Sequence, residues 1–175
     1  MGGQPTKDLR EQLRDCLQGR VCLMGLGNVD YGDDGFGVRL AEELLAAGVP
    51  DVVIAGTMPD RYVGQTAAEG FDRLVFLDTV EFGGAPGSVV FLNAEEMSAR
   101  FPQISTHKIS LSVLARWAEA SGTTKAWVLG VQPESIKPGH QLSAVTRRTL
   151  DVLKELLLET SFGGREKLEL TEVNV

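Results

Sequence analysis

Apolar positions along the chain follow two rhythms that alternate. In TKDLREQLRDCLQG, Leu9, Leu13, Cys16 and Leu17 form one stripe at helical spacing, and Gly19 sits where that helix would close. VCLMGLG is a short continuous apolar run, the pattern of a strand buried on both faces. From Gly35 the helical rhythm returns in GFGVRLAEELLAAG, with Phe36, Leu40, Ala41, Leu44 and Leu45 on one face and Gly48 and Pro50 as the stop. DVVIAG predicts a second strand, Asp60 to Gly70 a helix interrupted by Gly64, RLVFLD a third strand ending at Asp78, and SVVFLN a fourth. A short helix near Glu95 to Arg100 precedes STHKISLSVLARWAEASG. There Ile109, Val113, Leu114 and Trp117 mark an amphipathic helix, with Ser105 or Thr106 as candidate N-cap. KAWVLGVQP is a fifth strand, and Ser143 to Glu159 a closing helix with Leu150, Leu153 and Leu157 inward.

Strands alternating with helices predict a three-layer α/β/α domain around a five-stranded, mostly parallel sheet. Only the residues Thr79 to Gly87 separate the third and fourth strands. A parallel crossover needs roughly a dozen or more residues, so the fourth strand is expected antiparallel, at an edge. The chain, 1–175, is read as one domain, with residues 6–18 as an N-terminal helical extension and 160–175 as a flexible tail. In such sheets ligands bind beyond the carboxyl ends of the strands. That rule gathers the loops GNVDYGDDG, GTMPD, DTVEFGG and QPES at one edge.

Composition narrows the partners. The net charge of -7 argues against nucleic acid and anionic membrane as partners by bulk electrostatics. No apolar run approaches the roughly 20 residues of a membrane span, and the charged N-terminus lacks the apolar centre of a signal peptide. A cytoplasmic protein is the expectation. The spacing of Cys16 and Cys22 is neither a redox nor a zinc pair, and both read as core residues.

The chemistry concentrates in GLGNVDYGDDGFG, Gly25 to Gly37. A dinucleotide fingerprint would need a third glycine at position 30, where Asp30 stands, and a carboxylate there repels a pyrophosphate. A phosphate loop fails as well, because Asp33 and Asp34 replace its Lys and Ser/Thr. Metal binding fits better. Asp34 sits at the start of the first crossover helix, Asp78 at the end of the third strand and His107 at the start of the Ile109 helix. Two carboxylates and an imidazole suit a borderline divalent ion with positions left open. Each also has an ordinary reading: Asp33 or Asp34 as helix N-cap, Asp78 as a turn residue, His107 and His140 as loop or surface residues.

Four segments in order, GLGNVDYGDDGFGVR, LVFLDTV with APGSV, STHKISL and LGVQPESI, resemble the nickel-iron hydrogenase maturation endopeptidases over about Val21 to Glu159. The first matches the family pattern GxGNxxxxD(D/E)GxG, and the last two lean toward the members serving formate-linked hydrogenases. The resemblance implies a twisted five-stranded sheet with helices on both sides. It also implies an endopeptidase that removes the C-terminal extension of the hydrogenase large-subunit precursor. Asp34, Asp78 and His107 would be its metal-binding and catalytic residues, with Asp33 as cap or supporting acceptor. The metal would be nickel supplied by the substrate, with other divalent ions as substitutes in vitro. Gly27, Asn28, Gly56 and Thr57 are candidates for loops against which the substrate tail approaches. The rival expectation is a non-catalytic nickel chaperone or checkpoint binder using the same ligands. The N-terminal helix departs from the compact members and would add a docking surface or cover a sheet edge.

Overall fold

The structure, a computed structural model, describes residues 7–100, 109–120 and 122–172, and of 162–172 the backbone alone. Five strands, β1 (Val21–Leu26), β2 (Val52–Gly56), β3 (Arg73–Thr79), β4 (Val89–Asn93) and β5 (Lys125–Val131), form one sheet in the order β2-β1-β3-β5-β4. β1 pairs in parallel with β2 and β3, and β3 with β5; β4 alone runs antiparallel, on the outer side of β5. The short β3–β4 connection therefore has the consequence expected of it.

Alternate residues of the central strands feed two cores. Cys22, Met24, Leu74, Phe76, Ala126 and Val128 face one side. There they meet Val63 of α3 (Asp60–Ala68), Met97 of α4 (Ala94–Arg100), and Leu111, Leu114 and Ala118 of α5 (Leu111–Glu119). Leu23, Val75, Leu77, Leu129 and Val131 face the other side. Here the helices are α1 (Leu9–Cys16), α2 (Phe36–Ala46) and α6 (Ala144–Glu172), which contribute Leu13 and Cys16, Phe36, Leu40 and Leu44, and Leu150, Leu153 and Leu157. This two-sided burial is why the strand sequences read as continuous apolar runs rather than alternating ones.

Several helix details correct the sequence reading. Leu45 does not share the inward face of α2; it is exposed, because the adjacent Leu44 takes the buried position. α5 is rotated relative to the predicted stripe. Its N-cap is Ser110, whose hydroxyl accepts the Val113 N–H, and its buried side is Leu111, Leu114, Ala115 and Ala118. Val113 and Trp117 are exposed, and Ile109 precedes the helix. Alanines let α5 approach its neighbours closely, while the Trp117 ring lies 3.4 Å from where a Cβ on Gly64 of α3 would sit. The suggested caps Ser105 and Thr106 lie outside the described residues. α6 crosses Gly163–Gly164 and continues to Glu172, where a flexible tail is predicted from 160. Two glycines cost a helix about 1 kcal/mol each, and the strong helix formers around them in REKLEL offset that.

The N-terminal helix, capped by Asp8, buries Leu13 and Cys16 in the second core. It also lines a hollow with Arg73, Phe91 and Trp127 on the β4 side of the sheet. No helix among the described residues is long and apolar enough to cross a membrane. Both cysteines are buried free thiols, and burial pushes each up to about 12. Neither should react with a disulfide reagent such as DTNB at pH 8 in the folded protein, and both should react in urea; rapid labelling of the native protein contradicts this packing.

Candidate functional site

The carboxyl edge of β1 and β3 is built by glycine. A Cβ on Gly37 would lie 1.9 Å from the carbonyl oxygen of Leu77 and 2.4 Å from that of Leu26. Only glycine allows α2 to start wedged between the ends of the two strands. A Cβ on Gly25 would meet the Gly37 carbonyl at 2.5 Å, and one on Gly27 the Asp34 carbonyl at 1.8 Å. Gly27 also has φ +123°. The missing Cβ of Gly27 therefore serves the loop's packing on itself. Gly56, at φ +59°, would place a Cβ 3.8 Å from the Gly27 carbonyl oxygen, an ordinary contact, and its own carbonyl accepts the Gly27 N–H at 3.0 Å. The next residue, Thr57, is exposed.

This folding delivers Asp34 and Asp78 to the same edge. Asp34 lies in a 3-10 turn, Gly32–Gly35, that leads into α2, and it is 8% exposed. Its Oδ2 accepts the backbone N–H of the half-buried Asn28 at 3.0 Å. Asp78, fully buried, is the penultimate residue of β3, and its Oδ1 accepts the Thr79 N–H at 2.8 Å. Thr79 joins the two loops, because its hydroxyl donates to the Asp33 carbonyl at 2.6 Å. His107, the predicted third partner, lies outside the described residues. Among the described residues, no three His, Cys, Asp or Glu side chains form a group able to hold a metal.

Asp33 is not a cap of its own helix; neither the 3-10 turn nor α2 has a side-chain cap. Its fully buried carboxylate reaches across the chain instead. Oδ2 accepts the N–H groups of Glu134 (2.8 Å) and Ser135 (3.3 Å) and the Ser143 hydroxyl (2.8 Å), and Oδ1 the Ser143 N–H (2.7 Å). Burial alone would raise its pKa, but the two bonds from Ser143 and those from Glu134 and Ser135 outweigh it and hold the carboxyl below its ordinary value. Ser143 in turn accepts the Thr146 N–H at 3.3 Å in the first turn of α6. The backbone seals the same junction: Asp33 N–H donates to Ser135 O (3.0 Å), Gly32 N–H to Gly139 O (2.7 Å) and Gly139 N–H to Asp30 O (2.8 Å). Asp30 and His140 face each other at 3.2 Å on the exposed side of this seam. They are loop residues, as their turn-forming neighbours indicate.

One contributor escapes sequence reasoning. Gln132, just past β5, turns its side-chain oxygen onto three successive backbone N–H groups of the β3–β4 loop, those of Phe82 (2.9 Å), Gly83 (3.0 Å) and Gly84 (3.2 Å). Its only sequence signal is its place in LGVQPESI.

Comparison with known proteins places this architecture. The family model described as HycI, hydrogenase maturation protease, matches residues 38–160, a span that includes Asp78 and His107 and begins just after the glycine loop. The hydrogenase 2 maturation protease of Escherichia coli is 28% identical over 158 residues, covering 85% of this chain and 95% of that protein. The crystal structure of the NiFe hydrogenase maturation protease HycI from Thermococcus kodakarensis superposes with a TM-score of 0.73 at 32% identity, over 85% of this chain and 97% of that one. The hydrogenase maturating endopeptidase HybD of E. coli gives 0.63 at 27% identity, over 85% and 93%.

Proposed function

This chain belongs to the hydrogenase maturation protease family, peptide-bond hydrolases that process hydrogenase precursors, and we propose that it recognises a nickel-loaded large-subunit precursor through Asp34, Asp78 and His107 and removes its C-terminal extension. The observation that supports the reading is the delivery of two buried carboxylates, 44 residues apart in sequence, one from a turn and one from a strand end, to one edge of the sheet. Carboxylates of this kind, completed by an imidazole, fit the coordination preferences of a divalent ion of the nickel class. The nickel is cargo of the substrate, so the protein contributes donors rather than a resident metal. Such an ion polarises a peptide carbonyl or acidifies a bound water. Asn28 holds Asp34 in place through its backbone N–H, and the Thr79 N–H does the same for Asp78. A carboxylate fixed in this way loses little freedom on binding an ion. Relatives named as proteases and endopeptidases do not favour the rival reading of a non-catalytic nickel binder.

The test is mass spectrometry of a NiFe-hydrogenase large-subunit precursor before and after incubation with the protein. With nickel loaded, a C-terminal peptide should be lost; without it, the mass should not change. Equal cleavage of both forms contradicts the role of nickel, and binding without any mass change contradicts the protease.

A further inference from the structure

The β3–β4 loop is held more firmly than its exposed, glycine-rich sequence, EFGGAPG, leads one to expect. Gly83 takes φ +83°, which helps turn the N–H groups of residues 82–84 toward one point. Gln132 Oε1 occupies that point, within 2.9–3.2 Å of all three nitrogens. The far end is pinned independently: Gly87 N–H donates to the Gln132 carbonyl at 2.8 Å, and the Thr149 hydroxyl of α6 donates to Gly87 O at 2.8 Å. Phe82 packs against the first core, and a Cβ on Gly84 would meet its ring at 2.5 Å. The near end begins three residues after Asp78, just past Val80, whose N–H donates to Val131 O at 2.9 Å. One half-buried side chain thus fixes residues 82–84 of a loop that opens directly off the carboxylate edge.

We propose that Gln132 is a positioning residue for the proteolytic reaction: it holds the 81–87 loop as a preformed wall beside Asp78, against which the precursor segment carrying the scissile bond is laid. The proposal rests on the reading that substrate binds at the Asp34–Asp78 edge. Gln132 touches neither carboxylate in any hydrogen bond described above. Its loss acts on substrate binding through the loop. An ordered wall spares the substrate the cost of ordering it on binding.

The test compares Gln132→Leu, which keeps the bulk and removes the acceptor, with Gln132→Glu, which keeps an acceptor oxygen. In the free protein, amide hydrogen exchange at residues 82–84 should accelerate about a hundredfold in the Leu variant and stay protected in the Glu variant. On a nickel-loaded large-subunit precursor that the wild type cleaves, the Leu variant should raise KM about tenfold with kcat within twofold, and the Glu variant should restore KM. Unchanged exchange or unchanged KM in the Leu variant overturns the proposal. So does an equal defect in both variants, or a loss of kcat that tracks a loss of folded protein, since either marks a merely structural role. The exchange arm needs no substrate, so it separates failure of the clamp from failure of the assignment of the carboxylate site.

Discussion

Asp34→Ala and Asp78→Ala should each lower the rate of precursor cleavage roughly a thousandfold or more. A metal-organised transition state is stabilised by several kcal/mol, and each ~1.4 kcal/mol is a factor of ten in rate. The two substitutions differ in their structural consequences. Asp34 is 8% exposed, and its bond to Asn28 N–H lies within one loop, so its removal loosens that loop. Asp78 is fully buried at the end of a central strand, so alanine also leaves a small hole there. Asp78→Asn supplies the control, because it keeps the volume and an acceptor for Thr79 N–H while removing the charge. Thermal melting and mass spectrometry on the same preparations separate the two effects. A folded Asp34→Ala or Asp78→Asn protein that cleaves nickel-loaded precursor at the wild-type rate removes that residue from the site.

How far the site was readable in advance depended on the distance over which each feature is decided. The strands and their sequence neighbours were legible because VCLM, RLVFL and WVLGV state their own burial. The antiparallel edge followed from one short connection. The orientation of α5 was not legible, since Val113 and Trp117 fit a helical stripe as well as Leu111 and Ala118 do, and only the packing partners choose between them. Leu44 and Leu45 pose the same ambiguity on α2. Asp34 and Asp78 were reachable because the end of a parallel strand is itself a positional statement. The work of Asp33 was hidden: its partners Glu134 and Ser143 are 101 and 110 residues away, and no local pattern records them. Gln132 was equally silent, with donors 48 to 50 residues upstream. In the glycine loop the sequence showed that a Cβ was unwelcome, but not whether a ligand or the chain itself would fill the space. At Gly25, Gly27 and Gly37 it is the chain.

Asp33→Ala should be the most damaging substitution for stability, and its effect should depend on pH in a defined sense. Removing the carboxylate leaves the N–H groups of Glu134, Ser135 and Ser143 and the Ser143 hydroxyl without their acceptor at a junction of three segments. Hydrogen bonds to a buried charge contribute about 1.5–3 kcal/mol each and are not additive, so a net loss of roughly 3–5 kcal/mol is expected. In a chain of this length that lowers Tm by roughly 6–20 °C. The folded pKa of Asp33 lies below its unfolded value. The contribution is therefore fully present above the unfolded carboxylate value of about 4, and is lost as pH falls through the folded pKa. Wild type should accordingly weaken in acid more steeply than Asp33→Asn, which has no charge to lose and starts from a lower stability at pH 7. Urea unfolding from pH 7 down to pH 3 measures both slopes, and parallel slopes would show that Asp33 carries no linked proton. Activity gives a second handle. Asp33 also receives Thr79 through its carbonyl and precedes Asp34 directly, so its variants should lose cleavage at temperatures where the core is still folded. Full activity up to the melting transition would mean that the clamp stabilises the fold without setting the geometry of the edge it joins.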